Sequence, residues 1–121
     1  MKKILLAIQD RFLIGIYANQ LRKNGYSISI ASDGDVVVNK VKIIIPDLVV
    51  IDTLLPKLGG LNVLKSIRED LQTKDLKVAM LSNLLEKEEM NQWASFGALE
   101  YFAKAEHTAQ EIADGIKQIL S

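Results

Sequence analysis

Cysteine is absent from this 121-residue chain. That absence excludes disulfides, thiolate nucleophiles and thiolate metal sites. A charge excess is absent too, since 15 basic and 15 acidic side chains cancel. A general binder of nucleic acid or of anionic membranes needs a basic excess, so neither role is expected. No apolar run approaches the roughly 18 residues of a membrane span. A secretory signal needs a longer apolar stretch than Ile4–Ile8 and a small-residue cleavage site. The expected location is therefore the cytoplasm. Internal repeats, low-complexity segments and linkers are also missing, and the length fits one domain over residues 1–121. Hydrophobic residues make up 49% and charged residues 25%, the balance of a folded domain rather than a disordered one.

Five short apolar runs are present: Ile4–Ile8, Ser27–Ala31, Leu48–Asp52, Val78–Leu81 and Ala98–Phe102. The first, third and fourth are almost continuously apolar, as strands buried on both faces are. Ser27-Ile28-Ser29-Ile30 and Leu99-Glu100-Tyr101 alternate instead, which suits edge strands with one wetter face. Helical stripes fall between and after the runs. They comprise Leu13, Ile16, Tyr17 and Leu21; then Val37, Val38 and Val41; then Leu61, Leu64 and Ile67. Met90 and Ala94 mark the fourth, and Ile112, Ile116, Ile119 and Leu120 the last. Asn24-Gly25 is placed to stop the first helix, and Thr108 with Glu111 to start the last with a capping box. The pattern predicts (βα)₅ in one domain, an α/β fold with a doubly wound five-stranded parallel sheet.

Sites in such sheets lie beyond the carboxyl ends of the strands. The residues there are Ile8-Gln9-Asp10, Asp52-Thr53, Ser82-Asn83 and Lys104. A lone strand-end aspartate is more often a turn residue. Asp52, however, comes with a hydroxyl at the end of the fourth run and a cation past the fifth. An aspartate can attack phosphorus. A fixed lysine and a hydroxyl can hold the phosphoryl oxygens.

These segments resemble the response-regulator receiver family over essentially the whole chain. Pro46 to Pro56, with Asp52 at its centre, resembles the phosphoacceptor segment, and Pro56 and Gly60 stand where that family keeps a loop proline and glycine. Val78 to Asn83 resembles the strand ending in a switch serine, Ser82. Gly97 to Lys104 resembles the last strand, with a switch aromatic at Tyr101 and the lysine at Lys104. The resemblance implies the flavodoxin-like strand order 2-1-3-4-5. It also implies a phosphoryl group accepted on Asp52 from a sensor histidine kinase or phosphotransfer protein. Output would pass to a downstream target protein, with a homodimer through the fourth helix, fifth strand and last helix as a further option. On this reading the chain is a signalling module and not an enzyme. A DNA-binding output segment is not apparent, so the signal leaves through a partner or the chain is a piece of something longer.

Two departures stand out. Receivers end the first strand with an adjacent acidic pair that holds magnesium, and here those positions read Ile8 and Gln9, with Asp10 one place later. The implied metal ligands reduce to Asp52 and the Leu54 backbone carbonyl, with Gln9 or Asp10 as a weak addition, so magnesium is expected to bind weakly or not at all. The family's proline after the lysine is replaced by Ala105, and a trans bond is expected because a cis bond before a non-proline residue costs about 2.5–4 kcal/mol. Two readings therefore stay open: a phosphoacceptor module, and a receiver-like interaction module that works without phosphorylation. Enzymes of similar architecture fit less well. A haloacid-dehalogenase-type phosphatase wants a second aspartate where Leu54 stands, and Gln9-Asp10-Arg11-Phe12 is no flavin phosphate loop. His107 reads as a residue at the entrance to the last helix, Lys87-Glu88-Glu89 as a solvated helix start, and Trp93 as a packing residue or a partner anchor.

Overall fold

Burial of the apolar runs between helices decides the architecture, and the computed structural model, which describes residues 1–121, shows how. The elements alternate strictly: β1 (Lys3–Ala7), α1 (Arg11–Lys23), β2 (Ser27–Ala31), α2 (Gly34–Ile44), β3 (Leu48–Asp52), α3 (Gly60–Glu69), β4 (Val78–Ser82), α4 (Lys87–Ser95), β5 (Glu100–Ala103) and α5 (Ala109–Leu120). One sheet results, in the order β2-β1-β3-β4-β5, and every pair is parallel. The continuously apolar β3 and β4 are buried at every position, while the alternating β2 and β5 are the edges. The register sets Ile4 opposite both Ile28 and Leu48, and Met80 opposite Tyr101.

The period of two sorts the strand residues into two cores. Ile4, Leu6, Ile8, Leu48, Val50 and Leu81 pack against α1 and α5. Leu5, Ala7, Val49, Ile51, Val78 and Met80 pack against α2, α3 and α4. Local chemistry sets the helix ends. Asp10 caps α1 by accepting from the N–H groups of Phe12 and Leu13. Beyond Asn24 the chain turns at Gly25 (φ 90°), with Tyr26 N–H bonded to the Leu21 carbonyl and Gly25 N–H to that of Arg22, a Schellman stop. Thr108 and Glu111 make the reciprocal bonds of a capping box.

Several strand boundaries and one helix face differ from expectation. β5 begins at Glu100 rather than Ala98, because Ala98 N–H bonds back to the Trp93 carbonyl and so closes α4. β1 ends at Ala7, opposite Ala31, although Ile8 beyond it stays fully buried. In α4 the inward residue is Trp93, 1% exposed, whereas Ala94 is exposed. Trp93 packs on Tyr101 with ring centroids 5.7 Å apart. Its indole is therefore a core residue and no surface anchor. No helix is long and apolar enough to cross a membrane.

Candidate functional site at the carboxyl edge of the sheet

Three neighbouring strands deliver Asp52, Ser82 and Lys104 to one edge. Asp52 is the last residue of β3 and Ser82 the last of β4, both buried. Lys104 follows β5, and its N–H bonds to the Ser82 carbonyl at 2.7 Å, which extends the ladder and fixes the start of its side chain. The Lys104 ammonium donates to Asp52 Oδ2 at 2.5 Å, and the Leu54 N–H donates to Oδ1 at 2.9 Å. The side chains are only 16% and 4% exposed, so the ion pair is shielded from water and costly to break on one side. The loop after β3 depends on Gly60. Its N–H bonds to the Thr53 carbonyl, and a Cβ there would lie 2.4 Å from the Asp52 carbonyl oxygen.

Ser82 lines an open pocket of about 180 Å³ together with Thr53, Leu54 and Asn83. A larger depression of about 370 Å³ lies on the wall between β5 and α5 and contains none of Asp52, Ser82 and Lys104. The smaller one borders the carboxyl edge through Ser82 and the loop residues after Asp52, although neither Asp52 nor Lys104 lines it. Tyr101 is half-buried on β5 against Trp93.

The residues at the end of β1 do not assemble a cation site. Ile8 is fully buried among apolar neighbours. Gln9 is exposed, and Asp10 is engaged as the cap of α1. Nowhere do three acidic, histidine or cysteine side chains converge as metal ligands. Asp52 is thus the one carboxylate at this edge free of a helix cap, and the negative charge that an acidic pair would bring to a magnesium ion is missing from the donor set.

Two contributors were not visible in the sequence. His107 accepts the Ala103 N–H on Nδ1 at 2.9 Å and packs edge-on against Phe102, so it pins the loop that carries Lys104. The Lys104–Ala105 bond in that loop is trans, as Ala105 led one to expect. Tyr17, read as a stripe residue, is 5% exposed and belongs to the same core cluster as Ile8 and Phe102. Its phenol is raised above the ordinary range by burial first, then by the charges of Asp52 and Asp10. The hydroxyl therefore lies in the field of the site.

The chain belongs to the response-regulator receiver family: the model described as "Response regulator receiver domain" matches residues 4–117. It is a receiver domain of the kind found in two-component systems. Among curated proteins it is 31% identical over 119 residues to the alkaline phosphatase synthesis transcriptional regulatory protein PhoP of Bacillus subtilis (strain 168). That match covers 98% of this chain and 48% of PhoP, so the chain spans about half the length of this relative. Two solved structures share the fold. The Francisella response regulator 1452 receiver domain superposes with a TM-score of 0.89 at 24% identity, covering 98% of this chain and 96% of that one. The receiver domain of sensor histidine kinase PA1611 from Pseudomonas aeruginosa PAO1, which has a magnesium ion coordinated in its active-site cleft, superposes at 0.87 and 21% identity, covering 99% and 98%.

Proposed function

We propose that this receiver accepts a phosphoryl group on Asp52 and passes the signal to a protein partner. The observation that carries this reading is the shielded contact between Lys104 and Asp52, with Ser82 on the adjoining strand end. Lys104 orients the carboxylate before transfer and turns to the phosphoryl oxygens afterwards, and the Ser82 hydroxyl is placed to follow. The donor is a sensor histidine kinase or phosphotransfer protein. The output face is α4, β5 and α5, which also offers a homodimer surface. Tyr101 links it to the site, because it is the second residue of β5 and stands three before Lys104. Zero net charge argues against direct contact with nucleic acid by these residues, although PhoP is a transcriptional regulatory protein.

The second reading, an interaction module that works without phosphorylation, is favoured by one observation, the buried Ile8 at the acidic-pair position. Incubation with acetyl phosphate separates the two. Intact-protein mass gains one phosphate under the first reading and none under the second, and Asp52→Asn abolishes the gain.

A further inference from the structure

Charge balance at the carboxyl edge bears on how this site handles phosphate, and the inference rests on the phosphoacceptor reading above. In a receiver with an adjacent acidic pair, three carboxylates face one lysine, and a dication offsets the excess. Here Ile8 is apolar and fully buried, Gln9 is neutral, and Asp10 is held at the start of α1 by two N–H groups. Asp52 alone faces Lys104, so the resting pair is neutral.

The transfer can be followed atom by atom. An Asp52 carboxylate oxygen attacks the phosphorus of an acyl phosphate. The new oxygen–phosphorus bond forms as the bond to the donor's carboxyl oxygen breaks, and the donor carboxylate leaves with that electron pair. No proton is gained or lost. Asp52 then carries a dianionic phosphoryl group facing the Lys104 cation, which leaves a single net negative charge. Deleting two carboxylates and deleting one dication leave that local charge the same as in a magnesium-loaded receiver.

Hydroxyl donors stand close by. Ser82 ends the strand beside β3. Tyr17 lies in the second turn of α1, which starts at this same edge, and long helical side chains lean towards the helix N-terminus. The ring accordingly leans towards this edge, within the core cluster that also holds Ile8. Its hydroxyl makes no hydrogen bond inside the chain, and no sealed polar side-chain atom lacks a partner, so the hydroxyl tip reaches solvent. A tyrosine hydroxyl is protonated near neutral pH, and burial with the charges of Asp52 and Asp10 shifts it further that way, so it is a donor.

We propose that Asp52 takes its phosphoryl group without a divalent cation, with the Lys104 ammonium and the Ser82 and Tyr17 hydroxyls as donors to its oxygens. The test compares initial rates of phosphate incorporation from acetyl phosphate, read by intact-protein mass, in chelator and in excess magnesium. The rates should agree within about twofold, and Ile8→Asp with Gln9→Asp should introduce a magnesium activation of about tenfold or more. Tyr17→Phe, which keeps the ring packing, should shorten the lifetime of the phosphorylated chain in chelator by about threefold to tenfold. Incorporation by the parent only with magnesium overturns this inference and leaves the phosphoacceptor reading standing. Incorporation under neither condition overturns both. An unchanged lifetime in Tyr17→Phe removes Tyr17 from the donor set and overturns that part of the proposal.

Discussion

At the scale of single residues, Ile8 is the substitution with the widest consequences. It turns a metal-ligand position into core packing on the α1–α5 side of the sheet. Restoring the pair with Ile8→Asp and Gln9→Asp places carboxylates beside Asp52. Each like-charge pair at about 4 Å costs about 4 kcal/mol at an effective dielectric of about 20, before water access reduces it. Losing the Ile8 side chain from the core adds about 2 kcal/mol. Urea denaturation should show the metal-free double variant less stable than the parent by about 3–5 kcal/mol, with magnesium recovering part of the loss by binding the native state. Equal stability without metal would contradict the account. Arg68 makes a second test. Its guanidinium donates to the carbonyls of Phe96, Lys74, Leu76 and Gly97, and burial lowers its pKa from the ordinary value, with Asp75 opposing. It ties the end of α3 to the start of β4 and the end of α4. Arg68→Ala leaves carbonyls unpaired and should cost about 2–4 kcal/mol. A loss under about 0.5 kcal/mol, the usual size of a surface change, would show the clamp to be idle. Neither Arg68 nor Tyr17 could be read from the sequence. An arginine near a helix end and a tyrosine in an apolar stripe look ordinary until distant carbonyls or carboxylates are brought to them.

At the scale of elements, the boundaries set by local chemistry were the legible ones. Gly25, Thr108 with Glu111, and the alternation of β2 act within a few residues, so the chain itself displays them. The start of β5 depended on where α4 closed, and the inward face of α4 on which side chain met Tyr101; both are long-range matters. The end of α2 carries a local strain that can be relieved. Ile45 caps it in the left-handed region (φ 48°, ψ 68°), a conformation that costs a β-branched residue dearly, and its side chain is 47% exposed. Ile45→Gly should raise stability by about 1 kcal/mol and the Tm by about 3–5 °C. A lower Tm would mean that the side-chain contacts outweigh the backbone strain. The cap of α5 gives a dependence on pH. The Glu111 carboxyl is held below its ordinary value, chiefly by the N–H of Thr108. A carboxyl whose folded value is depressed stabilises fully above its unfolded value, and the contribution is lost as pH falls through the folded one. Glu111→Gln should therefore weaken the protein near about pH 7, and the two proteins should converge near about pH 3. A gap that persists unchanged in acid would show that the loss comes from packing and not from charge.

At the scale of the whole molecule, the sheet joins a phosphate edge to a candidate output wall. Five strands, the two edge strands among them, and the layering of helices on both faces followed from which apolar runs were continuous and which alternated; the strand order came only with the family resemblance. The pairing of Lys104 with Asp52 was legible only as shared position at strand ends; the contact itself needed the ladder that sets β4 between β3 and β5. Because Trp93 is interior, the exposed apolar groups at the proposed α4–β5–α5 wall include Ala94 on α4 and Leu99 just before β5. Ala94→Arg with Leu99→Arg should weaken self-association or partner binding in sedimentation while thermal unfolding stays cooperative. If Ile43→Arg on α2, 82% exposed, disrupts association instead, the output wall is wrongly placed. The central claim is that phosphate is carried by Asp52 at the end of β3. Its most direct test is reductive trapping: borohydride converts an aspartyl phosphate to homoserine, and peptide mapping then reads the position. After acetyl phosphate treatment, homoserine should replace aspartate at residue 52 and nowhere else. Intact aspartate at residue 52, or homoserine at the position of Asp10 or any other aspartate, would contradict the claim.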